Sequence, residues 1–170
     1  MMQTLSMACK RLGAMLVLGI CATSASAANC WTEAGREHGI DPLLLYSIAK
    51  VESALNPKAL NRNSNGTYDV GLMQVNSIHL PRLKQVGITH ERLVKEPCTS
   101  VRTGAAILAD FIKRYGYTWK AVGAYNAGGA DNREEARKRY VAKVWKEYRQ
   151  LSGQRAGTTP NGKAVQPSAK

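Results

Sequence analysis

The sequence predicts a mainly α-helical domain with one small β-hairpin, folded as a helical bundle around a cleft. Apolar residues recur at helical spacing over most of the chain from Cys30 to Leu151, and several helix starts carry capping residues. A turn-rich stretch around Asn65-Gly66 interrupts that pattern with strand-forming residues. The segment 28–151 is long enough for one hydrophobic core and too short for two.

In the first half of the domain, a helix and the hairpin have readable ends. Asp41-Pro42 places a capping residue before a proline at the first helical position, and Asn56-Pro57 stops this helix after Leu55. Asn65-Gly66 is a strong short turn signal. The neighbouring strand formers are Tyr68, Val70 and Val75.

The second half reads as helices only. Thr89 begins a short helix, and residues 100–115 form a longer one with apolar residues along one side. Thr118 caps a helix that runs into Tyr125, and Asp131 opens the last helix. From Ser152 onward, Gly, Pro, Thr, Gln and Lys replace the periodic apolar residues, so residues 152–170 are predicted to be a disordered tail.

Residues 1–27 are predicted to be a secretory signal peptide. Lys10 and Arg11 precede an apolar run over 12–22, and small residues end at Ala27, where cleavage is expected. Lipid attachment at Cys21 is the alternative, although a bulky residue precedes it. The apolar run is shorter than the roughly 20 residues of a membrane span, so we predict a periplasmic protein without a transmembrane anchor.

The chain is strongly basic, with 24 Lys and Arg against 12 Asp and Glu. The predicted leader holds two of the basic residues and none of the acidic ones, which leaves a net charge of +10. This charge favours anionic surroundings, and export disfavours nucleic acid as the partner. The basic stretch 133–149 is either a solvated helix face or a binding surface.

Two cysteines remain after the leader, Cys30 and Cys98. An even pair in an exported chain predicts a disulfide, and closing so long a loop contributes roughly 4 to 5 kcal/mol in the chain-entropy model. Two buried free thiols are the alternative. His38, His79 and His90 are scattered without ligand spacing, so we predict no metal site.

One carboxyl, that of Glu52, falls on the apolar face of a helix. At 100° per residue the apolar positions of the helix after Asp41 cover an arc of about 160°, and Glu52 projects within it. The polar positions Ser47, Lys50 and Ser53 are expected on the other side. The arc consists of Leu44, Leu45, Ile48, Ala49, Val51 and Leu55.

A carboxyl in that position is either buried or lines a cleft. Burial disfavours the ionised form and raises the pKa of the carboxyl, which then becomes a proton donor near neutral pH. Such an acid suits glycosidic bond cleavage, because the leaving oxygen must be protonated. A Glu52 that reaches the surface, or bonds to backbone past the helix end, is the structural alternative.

Asp69 is the second candidate carboxylate. The hairpin prediction places it on a strand, and a helix-borne Glu with a sheet-borne Asp is the arrangement of animal-type lysozyme, the type case of this chemistry. Aspartate is also common in turn-rich segments, so a structural role remains open.

Four short motifs follow one another along the chain: Glu52-Ser53, Asn56-Pro57-Lys58-Ala59, Gly71-Leu72-Met73-Gln74-Val75-Asn76 and Ala124-Tyr125-Asn126-Ala127-Gly128. Their order and spacing resemble the soluble lytic transglycosylase (SLT) domain, which has a goose-type-lysozyme-like fold. The match covers roughly residues 30–148.

The resemblance implies a peptidoglycan lytic transglycosylase with Glu52 as acid and base. The enzyme would cleave between N-acetylmuramic acid and N-acetylglucosamine and form a 1,6-anhydro sugar without water. By the same resemblance, Gly71 allows close approach of the backbone to the sugar. The implied substrate-binding residues are Ser53, Gly71, Met73, Gln74, Asn76, Tyr125, Asn126 and Tyr140, although Met73 also suits the core and Tyr125-Asn126 a helix end.

The segment Thr67-Tyr68-Asp69-Val70 departs from the small residues and serine of many family members and is typical of small, secretion-associated ones. This similarity implies local wall opening for a type III or type IV secretion or pilus system, with a partner among its components. Asp69 keeps a true muramidase as an alternative. A noncatalytic wall-binding module and, less in keeping with the leader, a nucleic-acid binder are the others.

Overall fold

The computed structural model describes residues 25–158, which form seven helices and a three-stranded sheet. Single 3-10 turns precede α3 and α7, at Ser77–His79 and Asp131–Arg133. In chain order the elements are α1 Ala25–His38, α2 Pro42–Ser53, β1 Leu60–Arg62, β2 Tyr68–Val70, β3 Val75–Asn76, α3 Leu80–Gln85, α4 His90–Lys95, α5 Pro97–Tyr115, α6 Trp119–Ala127 and α7 Glu134–Thr158.

Helix α2 begins as predicted and ends two residues earlier than expected. The Asp41 side chain accepts a hydrogen bond from the Leu43 amide at 2.8 Å, and proline follows at the first helical position. Ala54 and Leu55 both have positive φ, at 51° and 64°, so the chain leaves the helix in left-handed geometry. The end of α2 therefore turns sharply just after Glu52.

The sheet is antiparallel in the order β1-β2-β3. Leu60 pairs with Val70, and Val70 also pairs with Val75 on its other side. The predicted turn at Asn65-Gly66 connects β1 and β2, where the Asn63 amide N–H donates to the Thr67 carbonyl at 2.8 Å. The hairpin prediction is confirmed, and β3 extends it by a third strand.

Helix α5 runs through the centre of the helical part and packs against α1, α4 and α6. Its second residue, Cys98, forms a disulfide with Cys30 of α1, with the two Cα atoms 5.4 Å apart. The predicted pairing is therefore present in the structure. On the opposite side, α7 packs against both α2 and α6.

The last helix differs from the prediction at both ends. A 3-10 turn occupies Asp131–Arg133, and α7 proper begins at Glu134. The helix continues to Thr158, so the predicted disordered tail is wrong for 152–158. Polar residues extend an existing helix at little cost because each adds a backbone hydrogen bond. Residues 159–170, and the predicted leader up to residue 24, lie outside the described part.

Candidate active site

An open cleft of about 500 Å³ separates the sheet from the helices that carry Glu52 and Tyr125. Its wall is mostly polar, and asparagine, glutamine and hydroxyl side chains contribute most of it. The side chains along the cleft belong to Glu52, Asn63, Ser64, Asn65, Thr67, Asp69, Gln74, Val75, Asn76, His79, Ile107, Tyr125, Asn126 and Arg133.

Glu52 stands on the last turn of α2 and is largely buried at the side of this cleft. Burial raises the pKa of its carboxyl to about 7, and the negative charge of Asp69 adds to this rise. Hydrogen bonds from Tyr140 and Asn126, and the charge of Lys143, act in the opposite direction. Near neutral pH, the carboxyl therefore exists in both protonation states.

Tyr140 of α7 is hydrogen-bonded directly to Glu52. Its hydroxyl donates a hydrogen bond to Glu52 Oε1 at 2.7 Å, and only 5% of the residue is exposed. Burial raises the pKa of Tyr140 well above its ordinary value, and the charge of Glu52 raises it further. Tyr140 therefore remains a phenol that donates its proton in a hydrogen bond and does not titrate with Glu52.

Asp69 lies on the central strand β2 and lines the same cleft as Glu52. Its Oδ1 accepts a hydrogen bond from Asn76 Nδ2 at 2.7 Å, and its Oδ2 accepts one from Asn63 Nδ2 at 2.9 Å. Two side-chain amides, one on β3 and one just after the end of β1, thus fix the orientation of the carboxylate. The structure brings the two predicted carboxyl groups into one cleft.

Gln74 has positive φ, at 49°, and its side chain is tied down by the surrounding backbone. Its Nε2 donates to the carbonyls of Ala59 and Gly71, and its Oε1 accepts from Asn61 Nδ2 at 2.6 Å. Both hydrogens of the amide are therefore in use. Gln74 lines the cleft as expected, but its hydrogen bonds hold the loop in shape.

Tyr125 and Asn126, near the end of α6, form part of the opposite wall. The Tyr125 hydroxyl donates to the Met73 carbonyl at 2.7 Å, so it connects α6 with the loop between β2 and β3. Burial, together with the charges of Glu52 and Asp69, raises the pKa of Tyr125 well above its usual value. Asn126 donates its hydrogen bond to Glu52 from the same helical turn.

Two predicted substrate-binding residues, Met73 and Ser53, do not line the cleft. Met73 is fully buried, and a Cβ on Gly104 would come within 2.7 Å of its Cβ, so it belongs to the core. Ser53 donates its hydroxyl hydrogen to the Leu72 carbonyl at 2.7 Å. Their predicted contact with substrate gains no support from this placement, because α2 and α5 pack against the loop that follows β2.

Gly71 also differs from its predicted role. Its φ is +74°, and a Cβ there would lie 2.4 Å from the Leu93 carbonyl oxygen. The glycine is therefore required by close packing on α4, while the predicted approach to a sugar finds no support because Gly71 does not line the cleft.

Several residues of the cleft were not predicted to belong to the site. Asn63 is one of them: it follows the end of β1, and no local pattern distinguishes it from the other asparagines of this turn-rich stretch. His79, Ile107 and Arg133 were also overlooked, and no local pattern marks them, because tertiary packing brings them to the cleft.

Among residues 25–158, no three His, Cys, Asp or Glu side chains are grouped so that they could hold a metal ion. Within the same range, no helix has the length and apolar character needed to cross a membrane.

A proton-donating Glu and an Asp in one polar, open cleft define a class of enzymes that cleave glycosidic bonds. Residues 29–148 match the family model of the transglycosylase SLT domain. The chain belongs to the transglycosylase SLT family, the lytic transglycosylases that the four sequence motifs indicated.

Relatives of similar length support this assignment. Invasion protein IagB of Salmonella typhimurium is 46% identical over 142 residues, which cover 84% of this chain and 89% of the relative. Protein IpgF of Shigella flexneri is 39% identical over 127 residues, 75% and 84% of the two chains. The X polypeptide of Escherichia coli is 38% identical over 151 residues, 88% and 87% of the two chains.

A solved structure confirms the fold. The inactive E503Q mutant of lytic transglycosylase Slt from Pseudomonas aeruginosa superposes with a TM-score of 0.60 at 24% identity. The match covers 82% of this chain and only 25% of that enzyme. The predicted mainly helical, lysozyme-like fold is therefore correct.

Proposed function

We propose that this protein is a peptidoglycan lytic transglycosylase that cleaves the β-1,4 bond between N-acetylmuramic acid and N-acetylglucosamine. The observation that carries the proposal is the Glu52 carboxyl, buried beside a polar cleft with a pKa of about 7. Membership of the SLT family fixes the substrate class. The proposed reaction requires no cofactor.

Glu52 acts first as an acid. Its protonated carboxyl donates to the glycosidic oxygen, and the bond from C1 of the muramic acid to that oxygen breaks, with the electron pair leaving on N-acetylglucosamine. C1 becomes an oxocarbenium-like centre, and Glu52 becomes a carboxylate. The Tyr140 hydroxyl, 2.7 Å from Glu52 Oε1, stabilises that carboxylate through its hydrogen bond.

Glu52 then acts as a base. The carboxylate takes the proton of the muramic acid 6-hydroxyl as O6 attacks C1, which closes the 1,6-anhydro ring. The proton gained by Glu52 restores the acid, so one residue completes both steps and no water is consumed. A pKa near 7 suits both roles because the donor and the acceptor forms are close in free energy.

Asp69 and the amides around it support the charged intermediate. Its carboxylate, oriented by Asn63 and Asn76, stabilises positive charge on the sugar ring by Coulomb attraction. The same group could instead assist attack by water, since animal-type lysozyme uses such a pair. The presence of Asp69 beside Glu52 therefore keeps hydrolysis as the second candidate reaction.

The products that the enzyme forms from purified peptidoglycan strands distinguish transglycosylation from hydrolysis. Mass spectrometry should detect 1,6-anhydro-muramic acid ends, which are lighter by one water than reducing ends. Glu52→Gln should lower the rate by about 10³, within the range for loss of a general acid. Reducing ends alone would establish a muramidase, and undiminished cleavage by Glu52→Gln would leave Glu52 without its assigned role.

We further propose that the enzyme works in the periplasm, where it opens the wall locally for a type III or type IV secretion or pilus machine. The disulfide suits that oxidising compartment, and the Salmonella relative carries the name invasion protein. A deletion strain should assemble fewer machines and recover with the wild-type gene but not with Glu52→Gln. Equal recovery with both genes would instead indicate a noncatalytic assembly module.

A further inference from the structure

A second, smaller pocket of about 230 Å³ adjoins Glu52 on the side of α7. Glu52 and Asn126 line both this pocket and the main cleft, so the two spaces adjoin at these side chains. Tyr140, Arg139 and Lys143 form the wall on α7. We call this space the α7 pocket.

Two cations of the α7 pocket, Arg139 and Lys143, form no salt bridge or hydrogen bond among the described residues, although the charge of Lys143 acts on Glu52. Elsewhere on α7, Arg137 pairs with Glu134 and Lys138 pairs with Glu135. Arg139 and Lys143 are both exposed. They lie four residues apart, which places them on one face of the helix.

The main cleft offers a different electrostatic environment. Besides Glu52, its charged side chains are Asp69 and Arg133, which offset each other, and its remaining wall is dominated by neutral amides and hydroxyls. His79 stays neutral because burial lowers its pKa, and the nearby charge of Arg82 lowers it further. Neutral sugar hydroxyls suit this cleft, whereas anionic groups are favoured in the α7 pocket.

Peptidoglycan carries anionic groups close to the bond that is cleaved. The peptide stem is attached through the lactyl group on O3 of the muramic acid, the same ring whose C1 reacts. The stem bears several free carboxylates. When C1 lies beside Glu52, the stem must therefore leave the site within a few bonds of this residue.

We infer that the α7 pocket binds the carboxylates of the peptide stem through Arg139 and Lys143. This inference rests on the proposed function and extends it. The enzyme would then prefer strands that carry peptides over bare glycan, and these two cations would be specificity residues of the reaction. Each contact is a solvent-exposed ion pair, so the preference is moderate and weakens with added salt.

The test compares kcat/KM on three soluble strand preparations: peptide-bearing strands, the same strands with their stem carboxylates amidated by methylamine, and strands stripped of peptide by an amidase. For the wild-type protein, amidation should lower kcat/KM about tenfold. The double variant Arg139→Gln/Lys143→Gln should show the low value on peptide-bearing strands and no further loss on amidation.

Lys146→Gln is the matched control, since Lys146 is an exposed cation of α7 outside the pocket. It should keep the full response to amidation, and Lys143→Arg, which retains the charge, should keep most of it. Circular dichroism melting verifies that each variant folds. Because Lys143 also acts on the pKa of Glu52, the ratio between substrates is the measured quantity rather than the absolute rate.

Three outcomes overturn the inference. Equal wild-type rates on amidated and unmodified strands would exclude recognition of stem carboxylates. A double variant that still responds to amidation would place that recognition elsewhere. A loss equal on all strands, including the stripped ones, would assign the two cations to the glycan itself or to Glu52. Failure of the proposed function differs from these, because the wild-type protein would then form no anhydro ends from any strand.

Discussion

At the scale of single residues, the proposed role of Glu52 as the acid predicts that the pair Glu52–Tyr140 determines the pH dependence of cleavage. The Tyr140 hydroxyl lowers the pKa of Glu52 because its hydrogen bond favours the carboxylate. Tyr140→Phe removes that bond without removing the ring, so the pKa of Glu52 should rise. The alkaline limb of the rate profile, where the acid is lost, should move to higher pH.

The pH dependence of kcat/KM between pH 5 and 9 measures this shift. Tyr117→Phe is a suitable control, because the Tyr117 hydroxyl accepts a hydrogen bond from the Asp41 amide and makes none with Glu52. An alkaline limb that stays in place in Tyr140→Phe, or moves to lower pH, would contradict the role of Tyr140.

Gly71→Ala should destabilise the fold by at least about 2 kcal/mol. A positive φ is strained for alanine, and its Cβ would meet the Leu93 carbonyl oxygen. Urea denaturation measures the change. Gly66→Ala is the control, because Gly66 also has positive φ but open space around its Cβ. Equal costs for both variants would show that contact with Leu93 is unimportant.

Helical phase predicted the position of Glu52 correctly but not that of Ser47. The phase places Ser47 on the polar side, yet it is fully buried, with its hydroxyl donating to the Leu43 carbonyl at 2.7 Å. Helix α2 is covered by α1 and α7 on two sides, so its polar face is narrower than periodicity suggests. The spacing of apolar residues within one helix does not show how many other helices pack around that helix.

At the scale of elements, Asp41 connects three parts of the fold. It caps α2, accepts a hydrogen bond from the Tyr148 hydroxyl of α7 at 2.6 Å, and donates its amide N–H to the Tyr117 hydroxyl. The cap therefore also fixes α7 against α2. This contact orients the two helices that present Glu52 and Tyr140 to each other.

Asp41→Ala should cost about 2 kcal/mol, roughly one for the cap and one for the hydrogen bond to Tyr148. Asp41→Asn keeps one acceptor oxygen for the cap and replaces the other by an NH2 group, which cannot accept from Tyr148, so it should cost about half as much. Chemical denaturation of the two variants gives the comparison. A loss in Asp41→Asn as large as that in Asp41→Ala would show that the cap contributes nothing at this position.

The predicted elements are correct where a local cap or turn marks them. Thr89 illustrates this, since its hydroxyl accepts from the Arg92 amide at the start of α4. Helix α3 was missed because its six residues are too few to display a period. The extension of α7 beyond Leu151 was missed because the polar composition of this stretch indicates only that it lacks a buried face. A helix that has already formed can continue through such a stretch by its own backbone hydrogen bonds.

At the scale of the whole molecule, the disulfide closes a loop with a sequence separation of 68 residues. The chain-entropy model gives about 4 kcal/mol for a loop of this length. Cys30→Ser/Cys98→Ser should therefore lose about that much free energy of unfolding, and reduction of the wild-type protein should have a similar effect. Denaturation with and without reductant measures both, and a double variant that responds to reductant would reveal another cause.

Stability should also depend on pH through Glu52. Its pKa is about 7 in the folded protein and near 4.5 in the unfolded chain. Below pH 4.5 both states hold the proton. Between pH 4.5 and 7 only the folded state holds it, so the free energy of unfolding falls as pH rises, by about 3 kcal/mol in total.

Glu52→Gln removes this dependence because glutamine does not ionise. The variant should gain stability relative to the wild type as pH rises from 4.5 to 7, and the gain should level off above pH 7. Urea denaturation across this range tests the expectation. A gain that is constant with pH would show that Glu52 does not hold its proton in the folded state.

The hydrogen bond from Tyr125 to the Met73 carbonyl joins α6, which lines one side of the cleft, to the loop between β2 and β3. A motion that separated α6 from this loop would break the bond and leave a buried carbonyl unpaired, which is costly. The width of the cleft is therefore fixed by the fold. A glycan strand would have to fit this width, because the protein would not close over it.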